Sequence, residues 1–124
     1  MFSEYNYSGK HMICDFKEIK NIHLLNNSEE LNKRLKLVCE KYCFTILQES
    51  CHNFMPIGCT ILFLLSESHI SIHTFPEKNH IAFDIYTCRQ YEDNLVYEEI
   101  FQYFISELDA SLDSQCRIID RDFS

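Results

Sequence analysis

Two alternating segments joined by a short turn constrain this chain more than any other feature. From Ser68 to Phe75, Ile70 and Ile72 share one face while Ser71, His73 and Phe75 share the other. Pro76-Glu77-Lys78-Asn79 has turn chemistry. His80 to Cys88 then returns with Ile81, Phe83 and Ile85 on one face. A period of two puts those apolar residues together on a strand and scatters them around a helix. The pattern therefore predicts an antiparallel hairpin with one buried face. Closing it over the turn pairs Phe75 with His80 and His73 with Ala82. The same count sets Cys88 beside Glu67 and Ser68, unless a bulge shifts it.

The flanking sequence supplies layers for that hairpin. Lys10 to Lys17 alternates with Met12, Cys14 and Phe16 on one side and reads as a strand. Asn27 followed by Glu30 resembles a capping box, and Leu31, Leu35, Val38 and Tyr42 at helical spacing predict a helix over 28–42. Phe44 to Glu49 reads as a second strand, His52 to Gly58 as a loop, and Thr60 to Leu65 as a buried strand. Val96, Ile100, Tyr103, Phe104 and Leu108 predict a second helix over 93–108, and Cys116 to Ile119 a short last strand. The sum is α+β: a two-layer sandwich, a mostly antiparallel sheet with two helices on one face. With 124 residues, 46% of them hydrophobic, the chain is expected to form a single domain with its own core.

Composition narrows the function classes. Eleven Lys and Arg against 19 Asp and Glu give a net charge of −8, which argues against nucleic acid and against an anionic membrane surface. The longest apolar run, Ile61 to Leu65, is far shorter than a membrane-spanning helix. Met1 to Tyr5 has no signal-peptide pattern, and seven cysteines, an odd number, point to free thiols; together these predict a cytoplasmic protein. Cys39 and Cys43 with Cys51-His52 invite a zinc reading. The first pair falls on a helix and its end, and no second close pair completes the set, so no metal is expected from it. Glu92-Asp93 and Glu98-Glu99 read as a solvated helix face.

The run Ser66-Glu67-Ser68-His69, then His73-Thr74-Phe75-Pro76-Glu77, crowds hydroxyls, imidazoles and carboxylates beside a buried strand, where unsatisfied polar groups are costly. Here the chain resembles the short prokaryotic-type S-adenosylmethionine decarboxylases, enzymes that carry a self-made pyruvoyl group. The likeness runs from Gly9-Lys10-His11 to Cys88 and is densest from Cys51-His52-Asn53-Phe54 onward. It implies that Ser68 attacks the Glu67 carbonyl, that the chain is cut into 1–67 (β chain) and 68–124 (α chain), and that Ser68 becomes the pyruvoyl cofactor. By the same resemblance His73 assists the proton chemistry, Thr60 serves processing, and Cys88 is the general acid of the decarboxylation. Phe54 would stack on adenine and Glu77 accept from the ribose hydroxyls, with Leu65 and Glu67 also lining the substrate site. The implied substrate is S-adenosylmethionine and the implied pathway spermidine synthesis. Arginine or ornithine decarboxylation, and a catalytically silent regulatory homologue, are the competing readings.

One constraint needs no resemblance. Five residues separate Ser68 from His73, about 17 Å along an extended strand. Either the chain bends sharply near Ser68, or His73 reaches the Ser68 of a second chain. The family uses the second solution, which implies a homodimer with shared active sites and a larger α/β/β/α assembly. Departures from the family pattern are Phe75, where Trp or Tyr is usual, and Ile61 and Arg89, where Gly is common. Ile61 and Arg89 are expected to flank the pocket.

Overall fold

A computed structural model describes residues 7–123. The Met1 to Tyr5 stretch lies outside the described residues. The elements run β1 (Tyr7–Phe16), a 3-10 turn (Ile22–Asn26), α1 (Ser28–Lys41), β2 (Ile46–Asn53), β3 (Cys59–Leu65), β4 (Ser68–Phe75), a second 3-10 turn (Pro76–Lys78), β5 (His80–Thr87), α2 (Leu95–Leu108) and β6 (Gln115–Asp122). The six strands form one sheet in the order β2-β3-β4-β5-β1-β6. Every ladder in it is antiparallel.

The β4–β5 hairpin has the register the counting predicts. Phe75 opposes His80, His73 opposes Ala82, and Ser68 opposes Thr87 with no bulge. The Phe44–Glu49 strand is corrected. β2 begins at Ile46 and continues through His52 and Asn53, so the loop spans only 54–58. β2 is an edge strand, mostly exposed on both faces, and therefore lacks the apolar alternation by which a strand is read.

One sheet face is covered and the other is not. Met12, Cys14 and Phe16 of β1, Ile61 and Phe63 of β3, Ile70 and Ile72 of β4, and Ile81, Phe83 and Ile85 of β5 are buried in one cluster with Leu31, Leu35 and Val38 of α1 and Tyr97, Ile100 and Phe104 of α2. Phe83 and Phe104 meet at 5.1 Å between ring centroids, and Phe16 lies 6.1 Å from each. Burying a side chain of this kind is worth about 1.5–3 kcal/mol. The alternate residues, among them Leu62, Leu64, His69 and His73, face away from the helices on the uncovered side. At the start of α1, Asn27 Oδ1 accepts the Glu30 N–H at 3.2 Å. The Glu30 carboxylate turns instead to Lys33 and Arg34, so half of the capping box forms.

Candidate active site

Strands β3 and β4 are joined by a turn of two residues, Ser66 and Glu67, so Ser68 stands at the first position of its strand, 7% exposed. Beyond the end of β5, the Cys88 N–H donates to the Glu67 carbonyl at 3.0 Å. That carbonyl belongs to the peptide bond preceding Ser68. Its oxygen is therefore held by a backbone donor aimed where negative charge would develop if the carbon were attacked. The Ser68 hydroxyl makes a long contact, 3.5 Å, with Glu67 Oε1. Behind this pair Thr87, fully buried, shares a 3.0 Å hydrogen bond with the Tyr97 hydroxyl and accepts the Arg89 N–H at 3.1 Å. The backbone that presents Cys88 is thus tied to α2. Leu65 closes the inner side, buried at the end of β3.

The Glu67 side chain is also held. Burial pushes its pKa up. Hydrogen bonds from Ser66 and Arg89 outweigh that and keep the carboxyl below the usual range. Arg89 Nε donates to Glu67 at 2.5 Å, while the other nitrogens donate to the Tyr42 and Cys43 carbonyls at 2.6 Å each and to the Tyr91 hydroxyl at 3.1 Å. The guanidinium lies over the Phe44 ring at 4.1 Å. Helix α1 ends at Lys41, and the carbonyls just past it need donors that the helix does not supply. A cation there also meets the negative end of the helix dipole. One side chain thereby fastens the end of α1 to the turn that precedes Ser68.

The remaining expected site residues gather elsewhere. Thr60 and His73 are direct partners across the β3–β4 ladder, with Thr60 Oγ1 and His73 Nδ1 3.2 Å apart. Phe54 follows β2, 47% exposed, its ring edge-on to His52, and Glu77 sits exposed in the 3-10 turn after β4. Gly58 carries the loop between β2 and β3 against Thr74 and Pro76 with φ of +101°, a conformation glycine adopts without strain. Glu67, Ser68 and Cys88 therefore lie at one end of the central strands, and Phe54 and Glu77 at the other. His73, on the uncovered face, does not meet Ser68 within one chain.

Two expectations about departures resolve differently. Ile61 is fully buried in the core of the single chain. Arg89 does stand beside Glu67 and Ser68, as a clamp that spacing alone did not reveal. Its partners at the end of α1 are 46 and 47 residues distant, and no local pattern records them. A groove of about 550 Å³ between the helices, lined by Leu37, Tyr42 and Tyr103, contains none of the expected site residues.

A family model described as S-adenosylmethionine decarboxylase matches residues 10–122. The S-adenosylmethionine decarboxylase proenzyme of Brevibacillus brevis is 41% identical over 90 residues, which cover 73% of this chain and 67% of that protein. The corresponding proenzyme of Clostridium botulinum (strain Loch Maree / Type A3) is 39% identical over 88 residues, 71% of this chain and 75% of that one. The crystal structure of the adenosylmethionine decarboxylase from Aquifex aeolicus VF5 has the same fold, with a TM-score of 0.81 over 97% of this chain and 95% of that chain at 24% identity. Matched along nearly its whole described length, the chain belongs to the S-adenosylmethionine decarboxylase family.

Proposed function

We propose that this protein is an S-adenosylmethionine decarboxylase that makes its own pyruvoyl group from Ser68. The observation that carries the reading is the Glu67 carbonyl, held by the Cys88 N–H at 3.0 Å directly ahead of the serine. The residues present fit such a group: the hydroxyl adjoins a polarised carbonyl, and the turn is clamped by Arg89 through the Glu67 carboxylate. In processing, Ser68 Oγ attacks the Glu67 carbonyl carbon, and the Cys88 N–H stabilises the oxyanion. The peptide C–N bond breaks, leaving an ester between Glu67 and the serine oxygen. Loss of the Ser68 α proton expels the Glu67 carboxylate, and the dehydroalanine left at position 68 takes up one water and releases ammonia. His73, hydrogen-bonded to Thr60, supplies the proton transfers.

The ketone so formed would serve as the electron sink for loss of carbon dioxide from an α-amino acid. Cys88 Sγ holds the proton that is returned to the α carbon. Phe54 offers a partly exposed ring to the adenine, and the Glu77 carboxylate accepts from the ribose hydroxyls. The sites are completed in a homodimer, with His73, Thr60, Phe54 and Glu77 of one protomer serving Ser68 and Cys88 of the other. The uncovered sheet face, with Leu62 and Leu64 about half exposed, supports such a face-to-face pairing. Carbon dioxide release from carboxyl-labelled S-adenosylmethionine, arginine and ornithine tests the reading. Turnover of the first alone is expected. Turnover of arginine or ornithine instead would reassign the substrate, and none from any of the three would favour the silent homologue.

A further inference from the structure

We propose that His11, His69 and Asp84 form a binding site for a divalent first-row transition ion of the zinc class on the uncovered sheet face, a site apart from the decarboxylation chemistry. Asp84 lies on β5, the strand between β4 and β1, opposite Ser71 and Ile13, and His69 and His11 stand diagonally to it, both opposite Tyr86 two residues along the same strand. Asp84 Oδ2 is 2.5 Å from His11 Nε2 and 3.6 Å from His69 Nε2, and the three donor atoms fit within 4.8 Å. Bonds of 2.0–2.1 Å in a tetrahedral shell place neighbouring ligand atoms roughly 3.4 Å apart. The two separations from Asp84 bracket that value, and the histidine donors, within 4.8 Å of one another, close on an ion by side-chain rotation.

The surroundings prepare the ligands. Ser71 Oγ donates to Asp84 Oδ1 and leaves Oδ2 for the ion. The His69 ring stacks on Tyr86 with 28° between planes, and His11 meets the same ring edge-on. Such outer partners fix ring orientation and raise affinity. Three strands of one sheet hold all three donors, which keeps the site preformed, and the remaining coordination positions face the partner protomer in the proposed dimer. Two imidazoles and a carboxylate select zinc, cobalt or nickel over magnesium, which prefers an all-oxygen shell. One neighbour opposes the ion: Arg121 Nη1 lies 3.4 Å from His11 Nδ1. Binding at Nε2 shifts the ring proton to Nδ1 and displaces that guanidinium.

Cobalt(II) titration of the purified full chain, followed by visible absorption and calorimetry, tests the site. Saturable binding of one ion per chain is expected, with nitrogen and oxygen ligand-field bands and no thiolate charge-transfer band. His69→Ala and Asp84→Asn should each weaken it about tenfold or more, while Arg121→Ser should tighten it. Magnesium should not compete. Four outcomes would each overturn the proposal: no saturable binding, affinity untouched by both His69→Ala and Asp84→Asn, thiolate bands marking ligation by cysteine, or competition by magnesium. His69 is half exposed, so His69→Ala keeps the fold and the test decisive.

Discussion

Glu67 carries two roles in one residue. Its backbone carbonyl accepts the Cys88 N–H, and its carboxylate accepts from Ser66 and Arg89. The first role belongs to the proposed cleavage and the second to stability, so they separate experimentally. Ser68→Ala removes the attacking hydroxyl and should abolish cleavage while leaving the fold, read as one band on a denaturing gel. Cys88→Ala keeps the backbone N–H and should still cleave, but its turnover should fall by about a hundredfold or more, the range for loss of a positioned acid. Full turnover by that variant would remove Cys88 from the mechanism. The Glu67 carboxyl is held below its ordinary 4.5, so it adds stability that is present above that pH and is lost as pH falls through the lower folded value. Glu67→Gln should therefore flatten the fall in melting temperature between about pH 5 and pH 3, measured by thermal scans across that window.

Helix α1 shows what could and could not be read before the structure. Its start is local: Asn27 and the Glu30 N–H lie three residues apart, and that spacing is visible in the sequence. Its end is not, because the donor to the Tyr42 and Cys43 carbonyls comes from Arg89 across the fold. Asn27→Ala should cost about 1 kcal/mol. Arg89→Ala should cost about 2 kcal/mol, since several charged hydrogen bonds go at once. Urea denaturation of an uncleavable Ser68→Ala background measures both without interference from processing. The β4–β5 hairpin was legible for the same reason as the N-cap: a four-residue turn and strict alternation fix its register. Edge strand β2 was legible only in part, because neither face is packed and its last residues, Cys51-His52-Asn53, carry no apolar signal. The His11–His69–Asp84 cluster was invisible because its members come from three strands.

At the scale of the whole molecule, the sheet divides the expected machinery. Ser68 shares the covered face with buried Ile70 and Ile72, whereas His73 lies on the uncovered face with Thr60. The chain alone does not bring them together, which is the reason for proposing sites shared between protomers. Two inactive chains should then repair one another. Co-expressed with Ser68→Ala, a His73→Ala chain gains an intact His73 from its partner and should regain cleavage in a heterodimer. Cleavage absent from that mixture would confine His73 to its own chain. Beneath all of this lies the proposed break in the backbone ahead of Ser68, and intact-mass analysis of the mature protein reads it directly. The account requires two fragments, 1–67 and 68–124, the second lacking a free amine and taking up a carbonyl reagent. A single uncut chain of 124 residues, with an ordinary serine at position 68, would contradict it.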